Sequence, residues 1–380
     1  MAGQAGRTGA GLSNTEMERL ALTPVTVNLS DGHARMPLDR LQQEIVDRLP
    51  TYFDRAAAED VEELESRLVK ALFRCTSQEH ALRFRTFLTF SASSSLKMAA
   101  QVCRMQGRSA MLIEPVFDNI RHLLGTEEVP VVPLAEQDLV TRVAEARLTR
   151  SDSIWLVSPN NPTGWTLAEA DLRSVAHACA RSGALLVIDA SFRPHSKEAT
   201  SFDTYAVLAE TGTEFIGIED TGKTWATHDL KVGVSVASPE IASTMHRLHD
   251  QLLLNVSPIV LALLADVICD TSKRGLEKLV RAPIAANRRL ICDAAARAGL
   301  RIVHRSQGVP LVVLDVSPAS AHKPRSGWQA LRSLGIDALP LDNYYWSGTH
   351  QPNGGEVRLP LSRSRGEIEL AAQRIAKLGR

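Results

Sequence analysis

Short apolar runs alternate with helical repeats through the middle of the chain, at residues 84–90, 110–113, 154–157, 184–188, 215–218 and 232–236. Several are closed by Pro, Gly or Asp. The stretch 61–73 has the apolar spacing of an amphipathic helix, and 168–181 is a second helical segment lying between two of the runs. Buried strands separated by helices predict an α/β fold with a mostly parallel sheet covered on both faces. In such sheets ligands lie beyond the carboxyl ends of the strands, so polar residues just past each run carry the functional expectation.

Toward the C-terminus the pattern changes. Residues 245–264 and 276–298 read as helices, 302–304, 309–316 and 357–361 as strands, and 328–334 and 367–378 as further helices. That order suits a smaller α+β domain closing on the larger one. The expected division is 1–22 as a mobile segment covering the substrate, 23–45 with 275–380 as the small domain, and 46–274 as the large one. The first fourteen residues are Gly, Ala and polar, with little to bury. Thr15 to residue 22 reads as one or two helical turns, capped by Thr15 with Glu18 as reciprocal partner.

Composition narrows the class of partner. Of 380 residues, 44% are hydrophobic, and Lys+Arg and Asp+Glu both number 43, so no net charge is available to hold a polyanion. A small molecule is the expected partner, with no nucleic acid. The longest apolar stretch, around 259–268, is cut by Asp266 and falls short of a membrane span, and no signal pattern opens the chain. Five widely spaced cysteines without a C-x-x-C read as reduced thiols of a cytoplasmic protein, and eleven histidines show no zinc-binding spacing.

Four strand-end features fall in an order that makes chemical sense together. Ser91, Ser93 and Ser94 precede a helix, where free N–H groups and hydroxyls suit a phosphate. Asn161 sits in the rigid turn Ser158-Pro159-Asn160-Asn161-Pro162-Thr163-Gly164. Asp189 directly follows an apolar run and can face a cation or cap a helix. Lys223 lies beside Gly222 just past the next run, where a desolvated lysine can form a Schiff base. Each alone reads equally as a loop, a turn, a cap or a solvated side chain.

Taken together, these residues resemble fold-type-I pyridoxal 5'-phosphate (PLP) enzymes of the class I/II aminotransferase superfamily, over nearly the whole chain. The resemblance implies that Lys223 joins the cofactor aldehyde, Asp189 pairs with its ring nitrogen, Asn161 donates to its phenolic oxygen and Phe117 stacks on the ring. It places Ser91, Ser93, Ser94 and Lys231 on the phosphate and Arg358 on the substrate α-carboxylate, and it implies a homodimer. Two positions depart from the common pattern: Phe192 stands where a tyrosine is usual, and Lys231 where many relatives have arginine.

A narrower resemblance rests on Thr15-Glu16-Met17-Glu18, on Asn28 through Arg35, on Phe117-Asp118-Asn119, on Asp189-Ala190-Ser191-Phe192-Arg193 and on Ile218 through Trp225. These segments are similar to PLP- and O2-dependent L-arginine hydroxylase/oxidases of the MppP type, known from enduracididine biosynthesis. That likeness implies oxidation of arginine to 4-hydroxy-2-ketoarginine and 2-ketoarginine with release of ammonia, using neither flavin nor metal. Glu18 and Asp220 are then candidates for the guanidinium, with Thr15 assisting and Asp118 a further candidate, and His33 is the base or acid of a later step. The N-terminus would fold over bound arginine. The alternatives are an aminotransferase acting on a basic amino acid and, further off, a non-catalytic amino-acid-binding protein on the same fold.

Overall fold

The computed structural model describes residues 12–20, 27–303, 308–317, 326–348 and 354–378. The expected mobile residues 1–11, and His304 at the end of one expected strand, lie outside these. The first strand, β1 (Val27–Asn28), belongs to the smaller core. The large sheet comprises β2 (Arg85–Thr89), β3 (Ser109–Glu114), β4 (Val131–Ala135), β5 (Asp152–Val157), β6 (Leu185–Asp189), β7 (Phe215–Asp220) and β8 (Gly233–Ala237). Their spatial order is β2-β8-β7-β6-β5-β3-β4. β8 runs antiparallel to both neighbours and the other pairings are parallel, the arrangement expected of an α/β enzyme with one reversed strand near an edge.

β4 is the strand that the apolar pattern misses, because Pro133 interrupts it; β4 stands at the sheet edge, where proline's missing N–H costs no ladder bond. The helix expected over 245–264 is instead two helices, Pro239–Leu252 and Pro258–Arg274. Pro258 starts the second, where its fixed φ is already helical, and the residue before a proline is biased away from the helical region. Helix Val61–Cys75 packs along Pro258–Arg274. Leu64, Leu68, Leu72, Leu261, Leu264 and Ile268 belong to one large core with the sheet, each fully buried leucine contributing about 1.5–3 kcal/mol.

A second core gathers Leu29, Ile291, Leu314, Leu331, Val357 and Ile368. Its four-stranded antiparallel sheet has the order β12-β13-β10-β9, from β9 (Arg301–Ile302), β10 (Leu311–Asp315), β12 (Leu339–Pro340) and β13 (Glu356–Pro360). β1 pairs in parallel with β11 (Ile336–Asp337), tying the early chain to this late core. Ile45, within the segment expected in the small domain, packs instead in the large core. Cys75, Cys103 and Cys179 are buried free thiols, while Cys269 and Cys292 are partly exposed. Among the described residues no helix is long and apolar enough to cross a membrane.

Candidate active site

The carboxyl ends of β2, β5, β6 and β7 deliver Ser91, Asn161, Asp189 and Lys223 to one edge of the sheet. Because β8 is reversed, Lys231, two residues before its first residue, arrives at that same edge. Gly233 makes this possible: a Cβ there would stand 2.4 Å from the carbonyl carbon of Ser91, so no larger residue fits without moving backbone. Ser91 caps the helix Ala92–Met105, and Asp220 Oδ2 accepts the Ala92 N–H at 3.0 Å. The start of a fourteen-residue helix thus faces the cavity, and its dipole suits an anion.

The cavity holds about 320 Å³. It is lined by Thr15, Glu18, His33, Ser91, Ser93, Phe117, Asn161, Asp189, Asp220, Lys223, Lys231 and Arg358, which brings together all but two of the residues singled out from sequence. Ser94 does not line it; its N–H is engaged by the Ser91 cap one turn into the helix. Asp118 does not line it either. Its Oδ2 accepts the Asn14 N–H at 2.9 Å, so it anchors the N-terminal helix and is not placed to grip a substrate. Burial raises its pKa, partly offset by that backbone N–H.

The N-terminal helix is Asn14–Leu20, and its capping box is not the expected pair of Thr15 and Glu18. Ser13 Oγ accepts the Glu16 N–H at 3.2 Å while Glu16 Oε2 accepts the Ser13 N–H at 2.9 Å. This frees Thr15 and Glu18 to face the cavity. Asn343 clamps the start of the helix by donating to Leu12 O at 2.8 Å and to Asn14 Oδ1 at 3.3 Å. Glu18 Oε1 lies 3.4 Å from Arg358 Nη2, an ion pair with both partners largely buried. Arg358 Nε is buried without a partner.

Asp189 is oriented by Ser191, whose N–H and hydroxyl both donate to Oδ1, at 2.9 and 2.5 Å. Burial raises its pKa, with Ser191 and Lys223 opposing, so this carboxylate is stabilised by any cation that enters the cavity. Asp220 uses Oδ1 for the Gly222 N–H at 2.6 Å, so both of its oxygens hold backbone. Asn161 Oδ1 is buried with no hydrogen-bond partner. Phe117 stands edge-on to Tyr344, with ring centroids 6.0 Å apart. Phe192 lines the cavity and packs in an apolar cluster with Val309 and Leu311.

The segment Asp31-Gly32-His33 crosses the reaction centre. A Cβ at Gly32 would lie 3.4 Å from Arg358 Nη1 and 3.7 Å from Lys223 Nζ. Sequence reading selected His33 but missed the residues that hold it. Asp31 Oδ1 meets His33 Nδ1 at 2.6 Å, and Asp31 Oδ2 accepts from Arg35 Nε at 2.7 Å. Burial pushes the Asp31 carboxyl up, but bonds and charge from His33 and Arg35 outweigh it and hold the group well below the usual carboxylate range. Lys231 Nζ reaches His33 Nε2 at 2.8 Å. Arg363, fully buried, donates to the carbonyls of Asn28, Asp31 and His33. The i, i+2 spacing of Asp31 and His33 was the available signal; Arg363 gave none.

The donor set fits a phosphorylated pyridine aldehyde. A helix N-terminus and Lys231 suit the phosphate, Asp189 a ring nitrogen, the Asn161 side-chain N–H₂ a ring oxygen and Lys223 the aldehyde. Among the described residues no group of three or more His, Cys, Asp or Glu has metal-holding geometry.

Comparison with known proteins agrees with this geometry. The chain is 31% identical to a solved structure of MppP soaked with the product 2-ketoarginine, with TM-score 0.83, covering 93% of this chain and 100% of that one. A methionine aminotransferase from Escherichia coli, YbdL, shares the fold at TM-score 0.78 and 20% identity, over 98% of this chain and 97% of that one. Aspartate/prephenate aminotransferase of Thermus thermophilus is 24% identical over 78% of this chain and 76% of its own. Histidinol-phosphate aminotransferase of Symbiobacterium thermophilum is 29% identical over 42% of this chain, a match spanning 44% of that enzyme. The model of the family described as aminotransferase class I and II matches residues 43–375, so the chain belongs to that family and is a PLP-dependent enzyme with its fold.

Proposed function

We propose that the enzyme oxidises L-arginine with O2, giving 4-hydroxy-2-ketoarginine and 2-ketoarginine with release of ammonia, in natural-product biosynthesis. The observation that carries this reading is the Glu18–Arg358 pair. Each member holds the place of one end of a basic amino acid, Arg358 awaiting a carboxylate and Glu18 awaiting a guanidinium. Arginine satisfies both, in charge-assisted planar geometry. Asp220, whose two oxygens hold backbone N–H groups, adds negative charge to the wall of the cavity, and Thr15 a hydroxyl. The 31% identity to MppP over nearly all of both chains supports the same choice.

The cofactor, when bound, supplies an electron sink for the substrate's α-carbon. The chain's residues do the rest. Lys223 Nζ takes the α-proton, Asp189 keeps the ring nitrogen protonated, and Arg358 fixes the carboxylate. The helix Asn14–Leu20 covers the cavity and excludes water. Each arginine converted to the plain keto acid gives up two electrons, which reduce one O2 to hydrogen peroxide, while water supplies the keto oxygen as ammonia leaves; the hydroxylated product gives up four electrons to two O2, with a second water supplying the hydroxyl oxygen. His33 handles a proton in the later, hydroxylating branch. A homodimer goes with this reading: Phe90 and Leu230, exposed by 56% and 40%, directly adjoin the cavity residues Ser91 and Lys231, and a second copy would cover them.

The test is aerobic incubation with L-arginine and no keto acid, following O2 uptake and analysing products by mass. Steady uptake with hydroxylated and plain ketoarginine is expected; turnover only when a keto acid is added would overturn the reading in favour of amine transfer to a keto acid. That second reading is favoured by the aminotransferase relatives. His33→Ala should still oxidise arginine but divert product to 2-ketoarginine, and an unchanged hydroxylated fraction removes His33 from the chemistry.

A further inference from the structure

We infer that Asp31 is a positioning residue that fixes which nitrogen of His33 carries the proton, leaving the lone pair on Nε2, where His33 lines the cavity and meets Lys231. This deepens the proposed role of His33 and rests on it. The hydrogen-bond network makes the assignment. The Lys231 ammonium only donates, so Nε2, 2.8 Å away, must accept. A neutral imidazole then has its proton on Nδ1, directed at Asp31 Oδ1 at 2.6 Å. The same oxygen accepts the His33 backbone N–H at 3.0 Å, so ring and backbone are fixed by one acceptor.

Asp31 is itself held on every side. Arg35 Nε takes its other oxygen at 2.7 Å, Asn28 Oδ1 accepts its N–H at 3.4 Å, and Arg363 takes its carbonyl. Arg35 continues to Asp229, which also lies 3.6 Å from Lys231. Among the described residues, the charged groups near His33 are Asp31, Arg35, Asp229 and Lys231, with Arg363 on its carbonyl and Lys223 and Arg358 in the same cavity. Of these only Asp31 accepts from Nδ1. A proton taken up at Nε2 makes an imidazolium beside a buried carboxylate, which stabilises the charged form at the moment it arises.

Asp31→Asn should reverse this. Arg35 is the stronger donor and keeps the amide oxygen, turning the amide N–H₂ toward Nδ1; the imidazole proton must then move to Nε2, against Lys231. In full-length holoenzyme labelled with ¹⁵N-histidine, His33 is expected as the Nδ1–H tautomer in wild type and as Nε2–H in Asp31→Asn. The hydroxylated fraction of product is expected to fall about 10-fold or more, with KM for arginine within about 2-fold of wild type. Asp31→Glu, which retains the carboxylate, should keep the Nδ1–H tautomer and most of the hydroxylated product.

An Nε2–H signal in wild type or in Asp31→Glu, or an unmoved proton in Asp31→Asn, overturns the inference. So does a moved proton with unchanged product ratio in a protein where His33→Ala does change it. Should neither Asp31→Asn nor His33→Ala alter the products while the proton moves, the role proposed for His33 is what fails, since the tautomer readout does not depend on turnover.

Discussion

The floor of the cavity and the cover over it are built in opposite ways. Asp189, Asn161, Lys223 and the Ser91 turn stand at the ends of strands whose interiors are fully buried, so their positions are set by a cooperative sheet and its core. The cover, from Leu12 to Leu20 and from Ser30 to Arg35, is held largely by individual polar contacts, to Asp118, Asn343 and Arg363 and between Asp31 and Arg35. A floor of this kind is suited to a fixed cofactor. A cover of this kind can exchange one ion pair for another when a substrate arrives. In the proposed function, the cofactor's chemistry belongs to the first region, and the choice of amino acid to the second.

The sharpest way to break this comparison is at the floor. Lys223→Ala should lower turnover by about 10³-fold or more and abolish the borohydride-trapped cofactor adduct at that residue. An adduct that survives would place the covalent lysine elsewhere. Asp189→Asn should reduce turnover by about 10²-fold or more, with a shift in the absorbance of bound cofactor, because a neutral amide no longer favours a protonated ring nitrogen. Arg358→Gln acts where floor and cover meet and should raise KM for arginine by about 10- to 100-fold, from loss of a charge-assisted pair worth about 1.5–3 kcal/mol.

Asp118→Ala tests the cover alone. Loss of the anchor on the Asn14 N–H should raise KM about 5-fold, on the scale of one hydrogen bond, and leave cofactor affinity unchanged. A loss of cofactor in that variant would mean that the two regions are not separable. The smallest effect is a pH dependence beneath the floor. His195 donates through Nε2 to the Lys223 carbonyl at 3.1 Å, and burial lowers its pKa from 6.5 to about 4. The unfolded chain therefore binds the extra proton first, and stability falls as pH drops from about 6.5 toward 4. At pH 5 this costs about 2 kcal/mol, so His195→Gln, which keeps the donor, should lose that much less stability between pH 7 and pH 5 in denaturant titrations.

The legible residues were those whose position follows from a strand end. Asp189 and Lys223 each follow an apolar run that is a real strand, β6 or β7, and a carboxylate or amine there has one place to go. β4 was hidden by Pro133 because sequence does not say which strand is at an edge. The N-terminal cap was misplaced because Ser13/Glu16 and Thr15/Glu18 have the same spacing, and the choice is made by Asp118 and Asn343, more than a hundred residues away. Asp118, a lesser candidate for the guanidinium, lies outside the cavity lining, where its Oδ2 holds the Asn14 N–H and its Oδ1 has no hydrogen-bond partner.

Local pattern was enough to dictate the α/β class and the edge of the sheet where the lysine, aspartate and asparagine of the cavity gather, since strand alternation and turn chemistry act over a few residues. Long-range packing alone decided that Arg363 would grip three early carbonyls, that Lys231 would meet His33, and that Glu18 would meet Arg358. The reason is physical: a hydrogen bond between side chains hundreds of residues apart leaves no periodicity in the chain, and exists only once two separate cores have set the distance between its partners.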